Sequence, residues 1–451
     1  MKSHKMLFRN AIVAALGGLL FGFDTAVISG TTDALQALYE LTSQSKGFTV
    51  ASALIGTILG AVLVGKPTDR FGRRAVLIVL AVFYFVSAVG CGFAWDWYSL
   101  LFFRFLGGLA VGGASVVSPM YIAEISPARI RGRLVALAQF NIVLGILLAF
   151  LSNYVIATMH LGESEWRWMF GVEAFPAAAF FFLLFANPES PRWLIGKGRT
   201  TEARQILTEL GTDADDVDKE VQVIEESIHL ERDLSHEPFY CAKYFTPISL
   251  AVMIAMFNQL SGINAILYYA PNVFKMAGAA AESAMLQSAL IGLTNLIFTM
   301  LAMAVIDLFG RKKLMLVGSI GYIISLGAAA AAFYYYGKDF SPLGGKIVLG
   351  AIILFIAAHA FGQGAVIWVF ISEIFPNRVR ARGQALGAFT HWIMAAAISW
   401  TFPMIADHLG TGHVFAFYAV MMLFQLFWVL FMMPETKGIP LEEIQKKFGI
   451  E

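Results

Sequence analysis

Residues 124–131 read Glu124-Ile-Ser-Pro-Ala-Arg-Ile-Arg131, and about half a chain later residues 373–380 read Glu373-Ile-Phe-Pro-Asn-Arg-Val-Arg380. In both copies an arginine follows the glutamate by seven residues. Two further repeats keep nearly the same offset: Asp69–Arg74 with Asp307–Lys312, and Pro188–Ser190 with Pro434–Thr436. An internal repeat of this kind in an apolar chain is typical of a membrane transporter built from two halves.

The composition is that of a membrane protein. Of 451 residues, 58% are hydrophobic and only 14% are charged, whereas soluble domains carry about 25% charged residues. The apolar residues fall in long runs that approach the ~20 residues a helix needs to cross a bilayer. We predict twelve spans, at about 9–29, 48–65, 75–94, 98–122, 133–157, 168–187, 245–274, 284–306, 313–335, 346–372, 382–406 and 413–433.

The composition also argues against several classes of function. A net charge of +1 provides no basic surface for nucleic acid. The two cysteines, Cys91 and Cys241, fall in an apolar run and a polar loop, so we expect no disulfide, no metal site and no cofactor. No cleavable signal is expected, because the first apolar run contains Asp24 and leads into further spans. No triad, phosphate loop or metal constellation supports an enzyme.

The chain divides around a polar stretch, Arg192–Lys243, with six predicted spans on either side. We therefore predict an N-terminal bundle at 1–190, a cytoplasmic linker with short helices at 191–243, and a C-terminal bundle with a short tail at 244–451. Basic residues cluster in alternate loops, so the positive-inside rule places both termini in the cytoplasm of a multi-pass protein of the cell (inner) membrane. These residues are Lys2, Lys5, Arg9, Arg70, Arg73, Arg74, Arg129, Arg131, Arg133, Arg311, Lys312, Lys313, Arg378, Arg380 and Arg382.

Several stretches resemble the sugar porters, a branch of the major facilitator superfamily that includes bacterial xylose–proton symporters and mammalian glucose facilitators. Gly17–Gly30, GGLLFGFDTAVISG, is similar to the first span of that branch. PESPRWL at Pro188–Leu194 and PETKG at Pro434–Gly438 are similar to its two half-terminating signatures. QLSGIN at Gln259–Asn264 and YYAP at Tyr268–Pro271 resemble its seventh span. The match covers essentially the whole chain.

The resemblance implies an all-α membrane protein whose twelve transmembrane helices form two pseudo-symmetric six-helix bundles with one central site. It further implies transport of a monosaccharide or polyol by alternating access, in symport with protons. A facilitative sugar uniporter is the alternative. A sugar-sensing receptor on a transporter fold is more remote, because only about eighteen residues follow Met433. The expected partners are a small sugar or polyol, the proton and membrane lipid.

Two carboxylates and one arginine inside spans are candidates for proton coupling. Asp24 costs a few kcal/mol in a span unless it faces a partner or water, and Arg104 is equally costly alone. The resemblance implies that they pair and that protonation of Asp24 couples sugar movement to the proton gradient. A static ion pair that only fixes packing is the alternative. Glu173 is a second candidate, or else a carboxylate bonded to Arg167 or to backbone.

The sugar site is expected among amides and indoles inside spans, since amides both donate to and accept from hydroxyls and indoles cover C–H faces. Interhelical hydrogen bonding is the alternative role for any single amide. Asn258 and His391 depart from the side chains common in relatives, and Gly362–Trp368 lacks their prolines, so the preferred sugar and the bending of span ten are open. The candidate contacts are Phe21, Gln139, Asn258, Gln259, Asn264, Tyr268, Asn295, Trp368, His391 and Trp392.

The duplicated charged residues lie at the predicted cytoplasmic ends of spans. The resemblance implies a clasp that holds the two halves together while the cavity opens outward. The alternative is that they only orient the protein and form solvated ion pairs worth under about 1 kcal/mol each. The residues of this cytoplasmic gate are Asp69, Arg73, Glu124, Arg131, Glu189, Asp307, Arg311, Glu373, Arg380 and Glu435.

Overall fold

The computed structural model of the chain describes residues 2–127, 130–211, 214–234, 238–376, 378–439, 443–444 and 448. Arg129, one of the basic residues used above to predict orientation, lies outside these ranges. Within them the regular secondary structure is helical, with no strand. Twelve of the described segments are long and apolar enough to cross a membrane. The predicted number of spans is therefore confirmed.

Spans 1 to 6 comprise the following helices: Lys2–Val27 with the 3-10 turn Ile28–Gly30, Ser43–Leu63, Arg73–Gly92, Trp97–Ile125, Arg131–Thr158, and Glu165–Gly171 with Ala174–Leu184. Spans 7 to 12 comprise Phe245–Leu260 with Ile263–Tyr268, Ala281–Phe309, Arg311–Tyr336, Pro342–His359 with the π-helix Ala360–Gly364 and Ala365–Ile374, Arg380–Leu409, and Thr411–Phe431. Shorter helices are Thr32–Leu38, Gly65–Phe71, Pro191–Gly196, Thr200–Leu210, Ala214–Leu234 and Ala270–Met276, with 3-10 turns at Gly162–Ser164 and Ala242–Tyr244.

Local sequence explains where several spans begin. Span 4 starts at a capping box, in which Asp96 Oδ1 accepts from the Ser99 backbone N–H at 2.7 Å and Ser99 Oγ accepts from the Asp96 backbone N–H at 3.1 Å. Spans 3 and 9 each start after a glycine with positive φ, Gly72 at 97° and Gly310 at 88°. Because side chains are strained there, glycine is the natural residue for these turns. The two turns occupy equivalent places in the internal repeat.

Small residues allow close packing of span 1 on span 5. A Cβ atom added to Gly22 would lie 1.9 Å from the Ile142 carbonyl oxygen, and one added to Gly18 would lie 2.7 Å from the Ala138 carbonyl oxygen. Helices in lipid associate largely through such contacts, because lipid tails are as apolar as the side chains. This packing places the turn that carries Phe21 beside the turn that carries Gln139.

The helices form two compact units. The first unit consists of Met1–Thr25, Ile55–Ile146 and Phe170–Glu237. The second consists of Ala26–Leu54, Leu147–Met169 and Pro238–Glu451. The second unit therefore includes the end of span 1 and the start of span 2, as well as spans 7 to 12. The boundaries of the two sequence halves stay a prediction.

Candidate functional site

Asp24 and Arg104 form a buried ion pair in the first unit. Arg104 Nη1 donates to Asp24 Oδ1 at 2.9 Å, and the two side chains are only 2% and 6% exposed, respectively. Gly107 makes room for the pair, because an added Cβ would lie 3.3 Å from Asp24 Oδ1. Arg104 also lies over the Phe170 ring, with its guanidinium carbon 5.5 Å from the ring centre. The arginine is thus held between span 1 and span 6.

Two further buried groups complete what we call the buried acid cluster: Asp24, Tyr84, Arg104 and Glu173. Glu173 lies at the break between the two helices of span 6, is 3% exposed, and interacts electrostatically with both Asp24 and Arg104. Its Oε1 atom, the Tyr84 hydroxyl and Arg104 Nε have no hydrogen-bond partner among the described residues. The cluster therefore combines two carboxyl groups and one guanidinium with spare donor and acceptor capacity.

The second unit brings five of the predicted sugar contacts together. Gln259 Nε2 donates to Asn258 Oδ1 at 2.9 Å and lies 3.3 Å from both ring nitrogens of His391. The His391 ring lies 5.2 Å from the Trp368 ring and 4.8 Å from the Trp392 ring, centre to centre. Gln259 is fully buried, yet its Oε1 has no hydrogen-bond partner among the described residues. Spans 7, 10 and 11 thus present an unsatisfied amide oxygen beside two indoles.

Three other predicted contacts of the second unit are also buried, Asn264 at 9%, Tyr268 at 2% and Asn295 at 7% exposure. Asn264 and Tyr268 lie on the short second helix of span 7, while the Asn295 Oδ1 atom accepts from Thr299 on its own helix at 3.4 Å. Phe21 and Gln139 belong to the first unit, where both are half-buried on the packed faces of spans 1 and 5. The sugar-binding roles of all ten residues stay predictions.

A first charge cluster consists of Asp69, Arg73, Glu124, Glu189 and Ser190. Arg73 binds Glu124 through two parallel hydrogen bonds, Nε to Oε2 at 2.8 Å and Nη2 to Oε1 at 2.9 Å. Ser190 Oγ donates to the same carboxylate at 2.5 Å, and Asp69 lies 3.6 Å from Arg73 Nη1. Glu189 Oε1 accepts from the Arg73 backbone N–H at 2.9 Å, so a carboxylate caps the start of span 3.

The second charge cluster, Asp307, Arg311, Glu373, Glu435 and Thr436, repeats these contacts in the second unit. Arg311 binds Glu373 through Nε at 3.1 Å and Nη2 at 2.6 Å, and Thr436 Oγ1 donates to Glu373 at 2.6 Å. Glu435 Oε1 accepts from the Arg311 backbone N–H at 3.0 Å, and Asp307 pairs with Arg311 at 3.0 Å. The internal repeat of the sequence is therefore a repeat of one hydrogen-bonded arrangement, each copy contained in one unit.

The other two gate arginines make different contacts. Arg131 Nε and Nη2 donate to the Ser126 carbonyl oxygen at 3.4 and 3.3 Å. Arg380 is partly buried, and its Nε has no hydrogen-bond partner among the residues that the structure describes. The clasp between the two halves stays a prediction.

An outer cluster, Thr32, Asp33, Lys46, Asn272 and Lys275, lies at the end of the spans opposite the charge clusters. Asp33 accepts from Lys46 at 3.2 Å, from Lys275 at 2.8 Å and from the Asn272 side chain, whose Oδ1 accepts from Thr32 at 2.8 Å. Burial alone raises the pKa of Asp33, but the ammonium groups of Lys46 and Lys275 outweigh it and hold that pKa below its usual value. All five residues belong to the second unit.

The sequence analysis missed this outer cluster. Asp33 and Lys275 are separated by 242 residues, so no local pattern joins them. The available signal was weak: Lys46 is a cation among the first residues of a span, where a buried partner is expected. Neighbouring contacts extend the packing, because Trp400 Nε1 donates to the Gln44 carbonyl at 3.2 Å.

The chain is similar in sequence to known sugar transporters over nearly its whole length. A sequence model of the family described as "Sugar (and other) transporter" matches residues 10–448. The chain is 39% identical to the D-xylose-proton symporter of Escherichia coli strain K12, over 97% of this chain and 95% of that protein. It is 36% identical to the arabinose-proton symporter of Bacillus subtilis strain 168, over 99% of this chain and 96% of that protein.

Solved structures match over the same length. The inward-open conformation of the Escherichia coli xylose transporter has a TM-score of 0.86 at 37% identity and covers 98% of this chain and 99% of that one. The proton:xylose symporter bound to 6-bromo-6-deoxy-D-glucose has a TM-score of 0.79 at 37% identity, with 99% and 100% coverage.

Proposed function

Because this chain belongs to the sugar transporter family, with the major facilitator fold of two six-helix bundles, we propose that it carries a monosaccharide or polyol across the membrane by alternating access in symport with protons. It is a multi-pass membrane transporter and not an enzyme. The observation that carries the proposal is the buried acid cluster, since two buried carboxyl groups around one arginine leave one carboxyl group without a compensating charge and so able to bind a proton.

Charge balance explains how the cluster handles a proton. In the interior of the first unit, the guanidinium of Arg104 compensates one carboxylate, that of Asp24, at 2.9 Å. The second carboxyl group, Glu173, has an oxygen without a partner among the described residues, and an uncompensated buried charge is costly. One proton, bound by either carboxyl group, therefore makes the whole cluster neutral. Water that reaches Asp24 from one side of the membrane lowers the cost of ionisation and releases that proton.

The sugar binds at the amide and indole groups of the second unit, and Phe21 and Gln139 of the first unit stay candidate contacts. The unsatisfied Oε1 of Gln259 accepts a sugar hydroxyl, while Trp368 and Trp392 cover C–H faces. Trp368 is 38% exposed, which is high for an indole inside a span and suits a side chain that lines a wet cavity. Asn258 already accepts from Gln259, so this amide pair orients the free oxygen toward the ligand.

Opening and closing depend on charged contacts at both ends of the spans. We place the two charge clusters and both termini in the cytoplasm, on the positive-inside rule, in the inner membrane of a bacterium. Each charge cluster stiffens its own half, and Arg131 and Glu373 are the residues assigned to the cytoplasmic gate. The outer cluster joins span 2 to the end of span 7 and closes the opposite side.

A uniporter for the same solutes is the second candidate, and it predicts sugar movement without proton movement. Purified protein in liposomes distinguishes the two, by counterflow across hexoses, pentoses and inositols, followed by external pH recording with the best substrate. Symport requires alkalinisation of the medium when sugar enters, at a fixed proton-to-sugar ratio. Sugar entry without any change of external pH would favour the uniporter. Absence of counterflow with every solute in the panel would contradict sugar transport.

A further inference from the structure

Two spans of the second unit are interrupted near the proposed sugar site. Span 7 breaks at Ser261 and Gly262, where Gly262 has a φ of 84° and an added Cβ would lie 2.3 Å from the Tyr418 ring. Span 10 contains the π-helix Ala360–Gly364. Irregular backbone at membrane depth is tolerated only when buried or facing a cavity, and π-helical turns are frequent at functional sites. Each interruption adjoins a residue proposed to contact sugar.

A chain of buried polar side chains, the span 10 network, surrounds the π-helix. The Tyr322 hydroxyl shares a hydrogen bond of 2.5 Å with His359 Nδ1 and donates to Gln363 Oε1 at 3.4 Å. Gln363 donates to Gln425, and Gln425 Nε2 donates to Ser319 Oγ at 2.8 Å. Tyr322, Gln363, Gln425 and Ser319 are fully buried. The network thus ties His359, just before the π-helix, and Gln363, within it, to spans 9 and 12.

The same tyrosine reaches the break in span 7. Its hydroxyl also interacts with the side chain of Ser261. Ser261 Oγ in turn donates to the Asn258 carbonyl oxygen at 2.6 Å, and Asn258 Oδ1 accepts from Gln259. Neighbouring polar side chains therefore lead from the π-helix of span 10 to the amide of Gln259, with Tyr322 and Ser261 linked by proximity and the other members by hydrogen bonds.

Glycines allow spans 9 and 10 to pack closely beside these polar side chains. An atom added to Gly362 would lie 2.9 Å from the Gly318 Cα, so spans 9 and 10 touch through backbone. No proline occurs in Gly362–Trp368, so a missing backbone donor is not the origin of the irregularity. The extra residue of the π-helix is instead compensated by side-chain hydrogen bonds, which can exchange partners when the helix changes its bend.

We propose that Tyr322 is a positioning residue: through the span 10 network it couples the break of span 7 to the π-helix of span 10, so that the segments bearing Gln259 and Trp368 move together. This rests on the proposed transport only for the location of the sugar contacts. The alternative is that the network merely fastens spans 9 and 12 together.

The test compares hydrogen exchange of purified protein, without sugar, in Tyr322→Phe, Gln425→Met and wild type. Tyr322→Phe keeps the ring that packs 5.2 Å from Phe355 and removes only the hydroxyl. Gln425→Met removes the acceptor of Gln363 at the far end of the network, and the hydrogen bonds of Gln425 described above go to Gln363 and Ser319, not to the break of span 7. Ser325→Ala is the matched control, because among the described residues the Ser325 hydroxyl donates to the Tyr322 carbonyl on its own helix, at 3.1 Å, and is not part of the network.

Coupling predicts that amide exchange rises in both interrupted segments, 258–268 and 360–368, by roughly three- to tenfold, the range for one lost membrane hydrogen bond. Both variants must show this, and Ser325→Ala must not. A rise confined to one segment, or to spans 9 and 12, overturns the proposal. If Tyr322→Phe does not fold, Gln425→Met alone decides. Because no sugar is present, the exchange pattern stands or falls independently of the transport assays.

A kinetic measurement separates positioning from packing. In sugar exchange by liposomes, lost coupling lowers the maximal rate by roughly three- to tenfold while the half-saturating concentration changes less. Equal loss of rate in Ser325→Ala, or an unchanged rate in both network variants, contradicts the proposal.

Discussion

Replacing Asp24 by Asn removes one of the two carboxyl groups of the buried acid cluster while keeping its shape, so the cluster keeps the neutral charge of its protonated state. The amide oxygen can still accept from Arg104 Nη1, at the position where the carboxylate accepts at 2.9 Å. The variant mimics a permanently protonated acid, so the proton can no longer be released. We therefore expect sugar exchange to continue and uphill accumulation to stop.

The magnitude follows from the driving force and from the burial of the pair. One proton moved through 100 mV is worth about 2.3 kcal/mol, which sustains roughly fiftyfold accumulation of sugar in the wild type. For Asp24→Asn we expect a ratio of about one. Breaking a buried ion pair outright costs about 3–5 kcal/mol. The retained hydrogen bond to Arg104 places the loss of stability at the lower end.

The assay measures accumulation and counterflow in the same liposomes, with a membrane potential set by potassium and valinomycin. Glu163→Gln is the matched control, because Glu163 is an exposed acid in the turn before span 6. That control must accumulate sugar as the wild type does. Accumulation by Asp24→Asn at the level of the wild type would refute the assignment of the proton to this cluster. Loss of exchange together with accumulation, in a stably folded variant, would assign Asp24 to packing or binding instead.

Three further predictions follow from the contacts described. Gln259→Ala is expected to weaken sugar binding by about 1–3 kcal/mol in calorimetry, because a sugar hydroxyl loses its acceptor. Gln287→Ala serves as control, because Gln287 is half-buried and its amide donates to Ser283 on its own helix. An equal effect of the two variants would place the site elsewhere. Arg131→Ala is expected to slow transport while sugar binding is retained. Spectroscopic distances between labels at the cytoplasmic ends of the two halves are expected to shift toward the state open to the cytoplasm. An unchanged distance distribution with normal transport would leave Arg131 only its role in orienting the protein in the membrane. The depressed pKa of Asp33 means that its ion pairs are fully formed above the usual aspartate pKa of about 3.9 and are lost only as pH falls through the lower folded value. Label distances at the outer end are therefore expected to stay constant from about pH 5 to pH 8 in the wild type and to broaden in Asp33→Asn at every pH. A transition within that range in the wild type would contradict the role assigned to the two lysines.

The sequence predicted the spans well because each depends on a local run of apolar residues. Boundaries moved where polar residues continue a helix beyond the apolar core. Span 2, for example, was predicted from about residue 48 and begins at Ser43, since Lys46 on its first turns finds a partner in Asp33. Hydropathy alone does not register such a partner, because it lies on another element.

The structure bears on the pairings of the candidate residues, while their roles stay predictions. The pair of Asp24 with Arg104 was expected, because both charges are costly in a span and the family resemblance implies that they pair, and the structure shows this ion pair. The partner of Arg73 was not foreseen, because Glu124 is 51 residues away and the repeat offers several equivalent acids. The π-helix of span 10 also escaped prediction, since glycines and a glutamine carry no distinctive periodicity.

Because the charge cluster occurs twice, the same substitution can be made at equivalent positions in the two halves and its effects compared. Arg73→Lys and Arg311→Lys are the same chemical change at two equivalent positions. Lysine cannot reproduce the paired hydrogen bonds of either arginine to its glutamate. If both changes slow exchange equally, both halves contribute equally to the conformational change of transport. If they differ, the larger effect identifies the half whose conformational change limits the rate. A single pair of variants therefore measures how unequally the two halves contribute to transport, because each half is the control for the other.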